Sequence, residues 1–347
     1  MPKHKPQNRL PAEWEPQSGV QLTWPHEDTD WAPLLGEVVP CFAAIARAVA
    51  ERERCLIVCR DAVQTARQLG DTARLPNVRF VELPSDDTWT RDHGAISVFE
   101  NGAPQILDFT FNGWGMKFPA SRDNLITRRL FAQGAFSPAV SYRDKLHLVL
   151  EGGSLESDGQ GTLLTTESCL LSPNRNDHFS KEELEAFYKE LFGLDRILWL
   201  KHGYLAGDDT DSHIDTLARL CDAQTIAYVR CDDPADEHAD ALRQMENELR
   251  AFRTARGAPY TLIPLPMADP AHGDGHRLPA TYANFLILNG AVLAPTYASP
   301  KKDAAALTQL QRAFPDRAIL GIDCSPLIKQ HGSLHCVTMQ YPEGFID

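Results

Sequence analysis

Four short segments of this 347-residue chain hold residue types that together could do chemistry. They are Trp89-Thr90-Arg91-Asp92-His93-Gly94, Leu150-Glu151-Gly152-Gly153-Ser154, Thr210-Asp211-Ser212-His213-Ile214-Asp215 and Gly332-Ser333-Leu334-His335-Cys336-Val337. Cys336 offers a thiol, which becomes a nucleophile once deprotonated or paired with a cation. His213 titrates near neutral pH and suits acid/base work. Asp92 and Asp215 would grip a planar guanidinium through charge-assisted hydrogen bonds. The carbon of such a group is a poor electrophile because its charge is delocalised, so fixing it between carboxylates positions it for attack. Taken singly, each segment has an ordinary reading: a buried cysteine, a capping His-x-Asp pair, a turn at Glu151-Gly152-Gly153, an ion pair at Arg91-Asp92. Their recurrence at matching points of an internal repeat singles them out.

The repeat reads as strand, turn, strand, Pro-containing turn, amphipathic helix, strand. One copy enters through Gly159 and Gly161, with first strands from Thr162-Leu163-Leu164 through Leu170-Leu171-Ser172-Pro173, a helix from about Lys181 to Phe192 and the strand Arg196–Leu200. A second runs Phe285–Leu288, Asn289-Gly290, Ala291–Pro295, a helix from about Asp303 to Phe314, then Ala318-Ile319-Leu320. Weaker copies start at Thr225–Val229, with a helix from Ala235 to about Ala255 and a strand Tyr260–Ile263; at Leu107–Phe111, with a helix near Asp123 to Phe131; and at Val20–Trp24, with a helix near Trp31 to Ala50 and a strand Cys55–Val58. About five units of roughly 60 to 80 residues result, each too small to bury its own apolar face, so they should close on one another. The expected architecture is α/β: a five-bladed pseudo-symmetric propeller built from ββαβ units, as one domain over residues 1–347. An ordinary doubly wound α/β sheet is the alternative. In a closed ring the four polar segments face one axis, bringing Asp92, Glu151, His213 and Cys336 together. Cys336 to Gln340 has no hairpin partner of its own, and Val20–Trp24 could supply it.

Composition narrows the partners. A net charge of −13 argues against nucleic acid, whose affinity comes from Lys and Arg neutralising phosphates, and favours small cations. The eight cysteines contain no C-x-x-C pair, so a structural zinc site or dithiol motif is not expected; free thiols in a reducing, cytoplasmic compartment are. Met1-Pro2-Lys3-His4-Lys5-Pro6 leads into no apolar stretch, so no secretion signal is read. Phe285 to Ala294, taken as the most apolar run, is too short to span a membrane.

The same residues carry a resemblance. The chain resembles the agmatine deiminases of the guanidine-modifying superfamily, nearly end to end. The resemblance lies in Pro11-Ala12-Glu13-Trp14-Glu15-Pro16, Thr23-Trp24-Pro25, Asp87-Thr88-Trp89-Thr90-Arg91-Asp92, Phe111-Asn112-Gly113-Trp114-Gly115, Glu151-Gly152-Gly153, Ser172-Pro173-Asn174-Arg175-Asn176 and His213-Ile214-Asp215. It implies a five-bladed α/β propeller that hydrolyses a guanidine without metal or organic cofactor. By position it implies Cys336 as the nucleophile forming an amidino-thioether and His213 as general acid/base. It further implies that Asp92 and Asp215 bind the guanidinium, with Glu151 binding it too and orienting His213. For agmatine, a step toward putrescine, the products would be N-carbamoylputrescine and ammonia; the resemblance also suggests a homodimer. Trp89, Trp114 and Asp209 are candidate contacts for the substrate tail. The sequence departs from the family at Gln330-His331-Gly332-Ser333-Leu334-His335, at Ser212 where glycine is usual, and in a short loop through Met116-Lys117-Phe118-Pro119. A peptidyl-arginine deiminase would share the cluster. A Cys-His protease would instead need an oxyanion hole, a metal hydrolase would be sensitive to chelator, and a binding protein would tolerate loss of Cys336.

Overall fold

The computed structural model describes residues 7–347, so the opening six residues, including those read above for a leader, lie outside the described residues. Five sheets share one pattern, in which a central strand pairs antiparallel with one neighbour, in four of them the strand before it, and parallel with a strand reached through a helix-containing crossover. In chain order the central strands are Gln17–Thr23, Ala103–Thr110, Thr162–Thr166, Thr225–Arg230 and Ala291–Thr296. Their parallel partners are Arg54–Cys59, Ser141–Val149, Arg196–Leu200, Thr261–Pro266 and Ala318–Asp323. A two-stranded hairpin, His272–Gly273 with His276–Arg277, stands apart from them. The fold is mixed α/β.

The first sheet is completed by the end of the chain. Thr338–Pro342 pairs antiparallel with Gln17–Thr23, with Thr338 opposite Leu22 and Gln340 opposite Val20. The segment lacking a hairpin partner thus finds it across the whole sequence, and Cys336 is held two residues before that strand.

Local chemistry sets the helices. Ser180 caps Lys181–Phe192 in a reciprocal box with Glu183, and the helix stops at Gly193 in the left-handed conformation (φ 67°). A Cβ on Gly193 would lie 1.7 Å from the Asn8 carbonyl oxygen, so only glycine fits there. The strand expected through Leu170–Pro173 is instead a helical turn, Glu167–Leu170. Thr166 caps it, taking the Cys169 N–H at 3.4 Å, and Ser172 N–H closes back on Cys169 O. Ala239–Ala251 is shorter than its expected helix because Asp233 and Asp236 hold the preceding residues in turns.

The stretch Ala32–Ala50 reaches a mean hydropathy of 1.5, and by length and composition alone it could cross a membrane. It therefore replaces Phe285–Ala294 as the apolar segment that needs explaining. Its explanation is the core: Val38, Phe42, Ile45 and Val49 are all fully buried in one apolar cluster with Val20, Leu22 and Ile57 of the first sheet.

Candidate active site

Each polar segment forms a short turn just ahead of an inner strand: Thr90–His93 before Ile96–Glu100, Gly152–Ser154 before Glu156–Ser157, and Ile214–Thr216 before Ala218–Asp222. Asp92, Glu151, His213, Asp215 and Cys336 meet there, and all five are buried. The His213 ring lies between two carboxylates, Nδ1 3.6 Å from Asp92 and Nε2 3.4 Å from Glu151. Cys336 Sγ is 3.9 Å from Asp215 Oδ2.

The fifth sheet supplies a residue that sequence reading missed. Asn284, two residues before Leu286–Leu288, occupies the matching place in its unit. Its Oδ1 accepts from the His335 N–H at 2.8 Å and from the Cys336 thiol at 3.4 Å. The signal was positional, because Asn284 heads a hairpin exactly as the other segments do in chain order, but an asparagine before an apolar strand carries no chemical flag. Three more missed residues stand behind the carboxylates. Arg175, within a motif quoted for the resemblance, puts its Nε 2.8 Å from Glu151 and its NH1 2.6 Å from Asp211. His335 Nδ1 is 2.7 Å from Asp215 Oδ2. Glu13 stands 2.9 Å from His335 Nε2 and pairs with Arg91 and Arg219.

Glycines make room for the cluster. A Cβ on Gly153 would lie 2.5 Å from His213 Nδ1, 2.8 Å from Asp92 Oδ1 and 3.1 Å from Asp215 Oδ2. The bare Gly153 backbone also donates to Asp92 Oδ1 at 3.0 Å. Two acceptor or donor atoms in the cluster, His213 Nδ1 and Asp215 Oδ1, are buried without a hydrogen-bond partner among the described residues. Orphaned polar atoms beside a thiol are what a bound polar ligand would satisfy.

Charge is distributed unevenly. Burial, against the pull of His213, pushes the Asp92 carboxyl up to about 6. Burial would also raise Glu151, yet His213 and Arg175 hold it below the usual carboxylate range. Burial alone would lower His213, but Asp92 and the hydrogen bond with Glu151 hold it well above the ordinary histidine value. Burial, then Asp215 and Asp92, push the Cys336 thiol well above the ordinary cysteine value.

A cavity opens onto Cys336 and Asp92, lined further by Trp89, Trp114, Asp209, Asp30, Asp87 and Asp208. The indole of Trp114 donates to Asp92 Oδ2 at 3.0 Å and meets Trp89 edge-on, ring centroids 6.4 Å apart. Gly113 to Met116 all have left-handed φ values, 67°, 55°, 87° and 67°, an unusual run that aims the indole inward. Gly332 completes the wall, since a Cβ there would fall 2.1 Å from the Trp89 ring. At the mouth, Lys117 Nζ reaches Asp209 O at 2.7 Å and Asp211 at 2.8 Å, and the His331 ring meets Gly207 O at 2.7 Å. Two of the departures from the family, Ser212 and His331, sit at left-handed φ (65° and 66°), where glycine would be unstrained.

Among the described residues, Glu151, Cys169 and His213 also present three ligand atoms within 4.8 Å of one another. Both Glu151 oxygens are already taken by Arg175 Nε, at 3.1 and 2.8 Å, so this trio is a charge-balanced hydrogen-bonded set. Cys169 does not line the cavity, whereas Cys336 does.

A thiol and an imidazole ringed by carboxylates at the end of an acidic, aromatic cavity define a hydrolase site for a planar cation. Comparison with known proteins gives that class a family: residues 9–342 match the Porphyromonas-type peptidyl-arginine deiminases, and the chain belongs to this family. It is 34% identical to the agmatine deiminase of Ectopseudomonas mendocina, across 96% of this chain and 95% of that one. Among solved structures, a Porphyromonas gingivalis protein provisionally named an arginine deiminase is 56% identical with a TM-score of 0.94, covering 98% of this chain and 100% of its own. A C. jejuni agmatine deiminase with substrate bound is 37% identical with a TM-score of 0.92, over 99% of both chains.

Proposed function

We propose that the protein hydrolyses agmatine to N-carbamoylputrescine and ammonia. The observation that carries this reading is a cavity that ends on Cys336 and Asp92, is lined by Asp30, Asp87, Asp208 and Asp209, and, among the described residues, has neither Arg nor Lys in its wall. Agmatine is a dication without a carboxylate, so acidic walls suit its amine and no cationic clamp is needed. The curated relatives at 33 to 34% identity named agmatine deiminase support the same substrate.

In this reading Asp92 and Asp215 hold the guanidinium through paired hydrogen bonds, and Asp215 Oδ1 accepts one of its N–H groups. The bound positive charge offsets the two carboxylates that disfavour a Cys336 thiolate. The Cys336 thiol gives up its proton to solvent, and the thiolate forms a C–S bond to the guanidine carbon. The adduct collapses by breaking a C–N bond, and the His213 imidazolium hands its proton to the departing ammonia. Neutral His213, steered by Glu151, then takes a proton from water as the oxygen adds to the amidino-thioether carbon. Breaking of the C–S bond releases the carbamoyl product and restores the thiol. Trp89, Trp114 and Asp209 shape the tail subsite.

The five like sheets support a reading as the blades of a propeller in one catalytic domain spanning the chain. The free state of all eight cysteines supports a reducing, cytoplasmic setting. A homodimer is part of the same proposal.

Steady-state turnover of agmatine, free arginine and arginine peptides tests the substrate. Agmatine should be turned over fastest; faster release of ammonia from an arginine peptide would reassign the enzyme as a peptidyl-arginine deiminase, the reading that the family's description favours.

A further inference from the structure

We infer that His335 is a positioning residue that acts through Asp215: the imidazole next in chain to the nucleophile donates from Nδ1 to Asp215 Oδ2 and leaves Oδ1 aimed at the guanidinium. This rests on the reading of Asp215 as a guanidinium ligand.

The geometry defines which ring nitrogen carries the proton. His335 is fully buried, with Nδ1 2.7 Å from Asp215 and Nε2 3.0 Å from Arg219 NH2. Nε2 also lies 2.9 Å from Glu13 Oε1, so it faces a donor and an acceptor together; on the other side the ionised Asp215 carboxylate can only accept, which puts a proton on Nδ1. Arg219 is itself pinned. Its NH1 donates to the carbonyls of Phe285 (2.7 Å) and Ala283 (3.2 Å), its Nε pairs with Glu156, and its NH2 meets Glu13 Oε2 at 2.5 Å. Glu13 gathers the rest, accepting from Arg91 NH1 at 3.1 Å and Gln340 Nε2 at 2.9 Å. A segment near the N-terminus therefore braces the imidazole from behind while the main chain of His335 is held by Asn284.

The result at Asp215 is asymmetric. Oδ2 is occupied by His335, whereas Oδ1 is buried and unpartnered among the described residues. Burial would raise this carboxyl, but the His335 hydrogen bond, together with the charges of His335, His213 and Arg219, holds Asp215 below the usual aspartate value. The titratable groups around it are His335, His213, Cys336, Asp92 and Arg219. Without the Nδ1 donor, Asp215 would be free to rotate and to take a proton, and the substrate would lose one of two charged partners.

Substitutions that differ only in which ring nitrogen they mimic test this. The amide nitrogen of asparagine falls near Nδ1, and that of glutamine near Nε2. His335→Asn should keep KM for agmatine near wild type. His335→Gln and His335→Ala should raise KM about tenfold or more with a smaller change in kcat, and should move the acid limb of kcat/KM to higher pH, since a charged-group hydrogen bond is lost. In a Cys336→Ala background, which removes chemistry, agmatine affinity measured by calorimetry should follow the same order. Equal losses for asparagine and glutamine variants, or unchanged KM and acid limb in His335→Gln, would overturn the inference. A wild-type enzyme that does not turn over agmatine would instead overturn the functional reading. If His335→Ala does not fold, the asparagine and glutamine pair alone decides.

Discussion

Asn284 Oδ1 lies 3.4 Å from Cys336 Sγ and also accepts the His335 main-chain N–H, so one side chain fixes both the nucleophile and the strand entry behind it. The His335 N–H also reaches the Asn284 carbonyl at 3.1 Å, but Asn284→Ala removes the acceptor of the thiol and of the buried Cys336 N–H at 3.3 Å, which costs about 1–3 kcal/mol. We expect a melting temperature several degrees lower and kcat reduced about tenfold or more; a variant with wild-type kcat would show that Asn284 serves only the backbone.

Cys336 should be the site of the covalent intermediate. Acid-quenched wild-type enzyme in steady state with agmatine should carry an amidino adduct on Cys336 by peptide mass spectrometry, and Cys336→Ala should release no ammonia while retaining its melting temperature. Cys169, 3.9 Å from Glu151, is the informative control. An adduct there would refute the assignment.

Gly153 should not tolerate a methyl group. In Gly153→Ala the new Cβ would crowd His213, Asp92 and Asp215 at once. Relief by moving those side chains disorders the guanidinium site, so kcat/KM should fall at least about a hundredfold while overpacking costs about 1–3 kcal/mol of stability. Activity assays with a thermal melt separate the two effects.

The acid limb of activity should reflect Asp92. Its carboxyl is pushed up to about 6, so kcat/KM should fall as pH drops through about 6 and guanidinium binding is lost. The stability of the empty enzyme has the opposite sense. A carboxyl that holds its proton more tightly when folded contributes stability that is fully present below its unfolded value near 4 and lost as pH rises through about 6. Asp92→Asn should therefore flatten that part of the stability profile while abolishing tight binding. A pH–rate profile with no inflection between 5 and 7 would contradict this placement of Asp92.

Ser212, next to His213, and His331, in the cavity wall, occupy left-handed positions. Relief of that strain by Ser212→Gly should stabilise the protein by about 0.5–1 kcal/mol, in the range typical of non-glycine residues at positive φ. Chemical denaturation measures it, and a destabilised variant would mean that the Ser212 N–H bond to Asp208 (2.7 Å) depends on the serine.

What the sequence by itself determined is the local grammar and the reactive set. Strand, turn and helix preferences act over a few residues, so Lys181–Phe192 with its Ser180 and Gly193 signals, or the Asn289-Gly290 hairpin, can be read from the chain. Cys336, His213, Asp92, Glu151 and Asp215 announced themselves because their side chains are scarce in apolar surroundings and recur at like points of the repeat. Tertiary structure alone decided which groups stand behind them. Asn284 and Cys336 are 52 residues apart and Glu13 and His335 are 322 apart, whereas the pairing of Thr338–Pro342 with Gln17–Thr23 was readable from the strand left without a hairpin partner. The strand misread at Leu170–Pro173 has the same origin in reverse: an apolar run looks alike as strand or helical turn until Thr166 caps it. Packing and long-range hydrogen bonds set the proton on His335, the free oxygen of Asp215 and the high pKa of the nucleophile. Those properties belong to distances between remote residues, on which sequence spacing has no hold.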